Sequence, residues 1–237
     1  MAEWTERAEL LFKAEGLDKL RNANILVVGL GGVGSFAAEF LARAGVGKMT
    51  IVDGDIVDIT NINRQLPALH STIGEPKVTI VGDRLMDINP ELKLTRIREF
   101  LSPERAFELV SDEFDYVLDC IDSITPKLNL IFAAKRKRVK IISSMGAGGK
   151  MQASKVKVAD ISNTINCYLA KTIRRRLKAV KINKLKVVFS SEIQDGASLK
   201  MTDGSNFKKS FYGTNSYMPG LFGLYAAETV IRYLLKK

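Results

Sequence analysis

The chain has 237 residues, 46% hydrophobic and 26% charged, enough for one sizeable core and at most two small ones. That apolar content excludes a disordered chain, and two cysteines exclude a disulfide scaffold. No uninterrupted apolar stretch is long enough for a membrane span and the N-terminus carries no charged-then-apolar leader, so a soluble, reduced, cytoplasmic protein with no membrane partner is expected. The net charge of +10 is uneven: residues 1–150 sum to −1 and residues 151–237 to +11.

Taken in order, strand-like runs alternate with helical patterns. Ile25-Leu26-Val27-Val28 is apolar, rich in β-branched residues, and stops at Gly29. Val33, Phe36, Ala37, Phe40 and Leu41 have helical spacing and predict a helix from Val33 to Ala44. Met49 to Val52 predicts a second strand, ending at Asp53. Pro76 suits the first position of a helix continuing through Val78, Val81 and Leu85. Leu92 to Ile97 and Tyr116 to Leu118 read as strands, Ile131 to Arg138 as a helix, and Val139 to Ser143 as another strand. Thr164 to Val180 carries Ile165, Leu169, Ile173 and Leu177 on one helical face, with Lys171, Arg174, Arg175 and Lys178 largely off it. Pro219 to Leu235 is mostly apolar but interrupted by Glu228 and Arg232, which favours a buried or dimer-facing helix over a membrane anchor. The alternation predicts an α/β fold, a Rossmann-like three-layer, mostly parallel sheet with helices on both faces. No repeat or linker divides the chain. The expectation is a single domain over residues 1–237, with a nucleotide-binding core at 20–150 and a basic elaboration at 151–237.

Chemistry concentrates after the predicted strands. Gly29-Leu30-Gly31-Gly32-Val33-Gly34-Ser35 lies between the first strand and first helix, where glycines let phosphate oxygens approach backbone N–H groups and the helix N-terminus adds positive charge. Asp53 ends the next strand, where a carboxylate can hold a ribose hydroxyl. Alone, this pattern points first to a nicotinamide dehydrogenase. The following residues shift the balance. Asp55, Asn61-Ile62-Asn63-Arg64-Gln65, Lys77 and Asp119-Cys120-Ile121-Asp122 can converge at one strand edge. Arg64 and Lys77 suit a triphosphate, and Asp122, with Asp55 as a second candidate, suits Mg²⁺. Hydride transfer needs neither.

Those residues, in this order and spacing over about residues 20–150, resemble the adenylating fold of ubiquitin-activating enzymes and of the sulfur-carrier adenylyltransferases. The resemblance implies ATP and Mg²⁺ as cofactors. It further implies Asp53 on the ribose, Arg64 and Lys77 on the phosphates, Asp122 on the metal, and Arg7 reaching the ATP of a dimer mate. A four-thiolate zinc site, usual in the sulfur-carrier enzymes, is impossible with two cysteines. The C-terminal half resembles the tRNA threonylcarbamoyladenosine dehydratases, through Gly146 to Lys150, Val158 to Thr164, Leu169-Ala170 with Arg174 to Lys178, Val188 to Glu192 and Gly213 to Pro219. That family is implied to activate the carboxylate of the threonylcarbamoyl group with ATP and close a ring with loss of water.

Charge supports a polyanionic substrate independently. Between Lys135 and Lys186 there are 16 Lys or Arg residues and one acid, Asp160. A solvated helix face is the ordinary reason for a basic run, but one so one-sided favours RNA phosphates. The partners expected are therefore tRNA, ATP and a second copy of the chain. Two other functions remain open: adenylation of a small sulfur-carrier protein ending in Gly-Gly, which would make Cys167 matter and imply a sulfur-transfer partner, and a non-catalytic nucleotide-gated RNA-binding module. Cys167 as an incidental thiol, Cys120 as a buried one, His70 as an exposed loop residue and Asp119 as a structural strand-end partner complete the expectations.

Overall fold

The computed structural model describes residues 3–201 and 210–237. Four consecutive apolar residues favour a strand covered on both faces, and Ile25–Val28 are buried at the centre of the sheet, in β1 (Asn24–Val28). β1 pairs in parallel with β2 (Lys48–Val52) on one side and β4 (Tyr116–Asp119) on the other. Outside these lie β3 (Lys93–Ile97) beyond β2, and β5 (Lys140–Ser144), β7 (Lys186–Ser190) and β6 (Val156–Asp160) beyond β4. Every pairing in this seven-stranded sheet is parallel except that of β6 with β7.

The two-residue period of the strands sorts side chains between two cores. Ile25, Val27, Met49, Ile51, Tyr116, Leu118 and Ile142 face α1 (Glu6–Asn22), α2 (Gly34–Arg43), α3 (Lys77–Ile88) and α7 (Met218–Lys236). Leu26, Val28, Val52, Val117, Ile141, Val187 and Phe189 face α4 (Pro103–Leu109), α5 (Ile124–Arg136) and α6 (Tyr168–Ala179). Residues past 150 extend the same sheet and cover its faces. α7 lays its buried face on α2, and β8 (Leu199–Met201) pairs antiparallel with β9 (Ser210–Tyr212) in a separate two-stranded sheet. No helix among the described residues is long and apolar enough to cross a membrane.

Three helices have boundaries that differ from expectation. α5 begins at Ile124, not Ile131, because Pro126 falls in its first turn, where the missing N–H is no loss. It stops before Arg138, which takes a left-handed φ of 59° to turn into β5. Pro76 is the extended cap of α3 rather than its first residue. Thr164 to Cys167 is non-helical, so α6 starts only at Tyr168. α1, α4 and β6 to β9 are additional to the elements expected from the sequence.

Candidate active site

Parallel strands bring their C-terminal ends to one edge, and the strand order reverses between β1 and β4, which opens a crevice there. The glycine loop leaves β1 on one side of it and residues 119–123 leave β4 on the other. The two backbones nearly touch: a Cβ on Gly29, whose φ is 88°, would lie 2.9 Å from the Cys120 carbonyl oxygen. At Gly34, where α2 starts, a Cβ would fall 1.7 Å from the Gly29 carbonyl oxygen. Gly32 abuts α7, its Cβ position 2.8 Å from Pro219. Gly31 differs, because its nearest neighbour would be the Gln65 amide at 3.7 Å, an ordinary contact. The protein itself does not require glycine there, which leaves the room to a ligand. Beside it, Gln65 Oε1 is buried with no hydrogen-bond partner among the described residues, an arrangement a bound donor would complete.

Asp53 follows β2 and its carboxylate is held by the loop. Oδ2 accepts from the Leu30 N–H at 2.5 Å and Oδ1 from the Asp55 N–H at 2.8 Å. Burial pushes the Asp53 carboxyl above the usual carboxylate value, against the pull of those two N–H groups and the Lys77 charge. Each oxygen keeps a free lone pair for a sugar hydroxyl. Lys77 opens α3 with its side chain 6% exposed, and its ammonium meets Asp55 Oδ2 at 3.0 Å. Asp55, 53% exposed, is the solvent-facing half of that pair.

Arg64 is held by Nη1 on the Thr60 carbonyl at 2.9 Å and on Asn63 Oδ1 at 2.8 Å. Burial lowers its pKa and the Asp122 charge raises it, so the guanidinium and this carboxylate share one electrostatic environment. Asn63 in turn donates to the Thr214 carbonyl at 2.8 Å, tying the loop to the segment before α7. Besides Asn63, two more of the anticipated nucleotide contacts are occupied within the loops. Buried Asn61 accepts from the Asp58 N–H at 3.3 Å, and buried Ser35 donates to the Gly31 carbonyl at 2.6 Å. Arg7 is exposed on the first turn of α1.

Sequence reasoning missed two buried lysines. Lys127, from α5, is fully buried and donates to Asp119 Oδ2 at 2.8 Å, Ser143 Oγ at 3.2 Å and the Ser144 carbonyl at 2.9 Å. Ser143 donates to the same Asp119 oxygen and the Ile121 N–H to the other. Asp119 is thereby a structural partner, as expected, and the loop carrying Asp122 is anchored at its root. Lys150 donates to the carbonyls of Asn166, Ser190 and Glu192, joining three loops at the same edge. The spacing Asp119 to Lys127, with Lys127 on the buried face of a helix, was the available signal.

The remaining candidates are quiet. Burial, then the Asp119 charge, pushes the Cys120 thiol up to about 12, which makes it a poor nucleophile. Cys167 is buried and accepts from the Ala170 N–H as the cap of α6. His70 is exposed. Among the described residues no three His, Cys, Asp or Glu side chains cluster as a metal cage. A single carboxylate, Asp122, fits a Mg²⁺ ion that keeps water and phosphate oxygens as its other ligands.

A doubly covered parallel sheet, a glycine loop at its switch point and paired cations beside a loop-held aspartate define a nucleotide-binding α/β protein, and the chain belongs to the ThiF family, whose pattern matches residues 6–237. Among its relatives, the tRNA threonylcarbamoyladenosine dehydratase of Bacillus subtilis is 40% identical over 97% of this chain and 94% of its own. The Escherichia coli tRNA N6-threonylcarbamoyladenosine dehydratase TcdA, solved in complex with ATP, superposes with a TM-score of 0.88 at 32% identity, covering 100% of this chain and 96% of that one. The molybdopterin-synthase adenylyltransferase of E. coli is 36% identical, but over 60% of this chain and 55% of its own.

Proposed function

We propose that this protein is an ATP-dependent tRNA threonylcarbamoyladenosine dehydratase. What supports the reading is the strand-end edge, with room for a ligand beside Gly31, Lys77 on Asp55 and the Arg64 guanidinium within reach of the Asp122 charge, in a chain similar to a dehydratase over 97% of its length. Asp53 holds the ribose, while Lys77 and Arg64 neutralise the phosphates. The carboxylate of the threonylcarbamoyl group attacks the α-phosphorus and pyrophosphate leaves. The ureido nitrogen then attacks the acyl carbon of the adenylate and AMP leaves, so one water is lost from the nucleoside overall. The nucleophile is tethered to its target, so placement and charge neutralisation suffice and no enzyme nucleophile is needed. Mg²⁺, held through Asp122, would supply further neutralisation of phosphate charge. When a phosphate enters, Lys77 exchanges part of its contact with the exposed Asp55 for phosphate oxygens.

The division of labour belongs to the same proposal: residues 20–150 handle the nucleotide and the basic residues 151–237 handle tRNA, in the cytoplasm. So does a homodimer. Leu10 and Leu11 are 72% and 75% exposed on the first turns of α1, beside a break at Lys13 where φ is 65°. A second copy covering them would also bring Arg7 to the neighbouring crevice. The test is mass spectrometry of tRNA nucleosides after incubation with Mg²⁺ and ATP. A loss of one water from the threonylcarbamoyl nucleoside, dependent on ATP, supports the reading. Pyrophosphate exchange driven instead by a small Gly-Gly protein, and abolished by Cys167→Ser, would replace it with the sulfur-carrier reading. Tight binding of ATP and tRNA without turnover would leave a nucleotide-gated binding module.

A further inference from the structure

The crevice employs two of the chain's cations, and many of the others gather at the opposite edge of the sheet. There Lys140 opens β5, Lys186 opens β7, and Asp160 closes antiparallel β6 directly across from Lys186. Lys135 in the last turn of α5, Arg138 in the turn after it and Lys184 in the loop before β7 close over the same edge. They line a groove of about 420 Å³. Its floor is largely apolar, with Tyr116 and Tyr233 packed edge to face at 5.2 Å.

Five cations thus face one acid, and that acid is already engaged. Asp160 accepts from the Ser162 N–H and hydroxyl and from the Leu185 N–H. Burial, together with the nearby Lys140 charge, holds the Lys135 ammonium below its ordinary value against the pull of Asp160. Cations crowded in this way are relieved by an anion. The groove is also continuous with a longer strip. α6 starts beside the nucleotide edge, where Cys167 Sγ lies 4.0 Å from the Cβ position of Gly146, and its chain returns to the groove through the loop before β7. Lys171, Arg175, Arg176 and Lys178 are exposed along it, whereas Arg174 is tied to the carbonyls of Ile161 and Thr164. A helix of this length spans about 18 Å, more than a small anion can bridge.

We propose that this groove holds phosphates of the tRNA body, away from the modified nucleoside, so that the RNA is gripped at both edges of the sheet. The inference rests on tRNA being the substrate. A small-anion pocket is disfavoured because no helix N-terminus points into the groove; α5 presents its C-terminal turn there. Four of the five cations are lysines on flexible stems, which act as point charges rather than a fixed fork. Such contacts position a polyanion without reading its sequence.

The test compares wild type with Lys184→Ala/Lys186→Ala and with Lys135→Gln/Arg138→Gln, after thermal melting and ATP binding have verified the fold. Labelled tRNA is titrated across a salt series. Each double variant is expected to lower the salt slope by about 1.5 and to weaken tRNA binding about tenfold at physiological salt. The KM for tRNA rises by the same factor while kcat for ring closure and ATP affinity hold. A modified oligonucleotide of a few residues, too short to reach the groove, is converted equally by all three proteins. Wild-type slope and affinity in both variants would overturn the groove while leaving the substrate reading intact. Loss of inorganic triphosphate binding with tRNA binding unchanged would make it a small-anion site and overturn the proposal. A wild-type protein that neither binds nor converts tRNA refutes the substrate reading, and the groove with it.

Discussion

Lys127→Met is the most informative single change. The ammonium is fully buried and makes three hydrogen bonds, one of them to the equally buried Asp119 carboxylate. Methionine fills similar volume, so the cavity contribution is small and the electrostatic one dominates. Removing one partner of a buried ion pair costs about 3–5 kcal/mol, because the other charge is left uncompensated. In a chain of this size that lowers Tm by on the order of 10 °C, a large share of the roughly 5–15 kcal/mol total stability. Asp119 retains only the Ser143 hydroxyl and the Ile121 N–H. Burial already raises its pKa, with Lys127 as the largest opposing influence, so the variant raises it further. A folded-state pKa above the unfolded one means that the native state binds more protons, and stability falls as pH rises. The deficit of the variant is therefore small near the ordinary carboxylate value and grows as pH climbs toward the raised one. Urea unfolding at several pH values measures it, and adding Asp119→Asn to Lys127→Met should recover at least about 1 kcal/mol through coupling. A cost below about 1 kcal/mol, a pH-independent deficit or strict additivity would refute the account of the pair.

Other expectations follow from the crevice. Gly34→Ala puts a methyl 1.7 Å from the Gly29 carbonyl, so the loop must distort and ATP binding, followed by calorimetry, should be lost. Arg64→Ala or Asp122→Ala should lower ATP-dependent ring closure by roughly 10²–10³-fold with little change in melting temperature; full activity in both would sink the site assignment. Asp53 must be ionised to accept both ribose hydroxyls, and its pKa is raised. ATP affinity should therefore fall on acidification at a higher pH than an ordinary aspartate would dictate, and Asp53→Asn should flatten that part of the profile.

The central strands were legible because their apolar runs end at residues with a conformational meaning, Gly29 after β1 and Asp53 after β2. The crevice could be inferred from them, since parallel pairing fixes where strand ends meet. Other parts were hidden for identifiable reasons. In α1, Leu10 and Leu11 face outward and Lys13 breaks the helix, so no apolar stripe emerges. Pro126 masked the start of α5, although a first turn tolerates it. β7 lies within a run of lysines whose charge outweighed its four buried residues. The burial of Lys127 and Lys150 is not visible in the sequence because their partners come from other strands and loops, and only the assembled sheet brings those carbonyls and that carboxylate within reach. The groove was half visible as a basic run. Its convergence with Lys184 and Lys186 depends on β5 and β7 being neighbours, which spacing along the chain does not disclose.

Pro219 against Gly32, and Thr214 against Asn63, tie the nucleotide loop to the last stretch of the chain. A ribosome that has released residue 150 has made every side chain assigned to ATP, yet the loop they surround still lacks its wall. That side of the loop is covered only once α7 docks on α2. A chain cut before α7 is therefore expected to carry the nucleotide motif without this support.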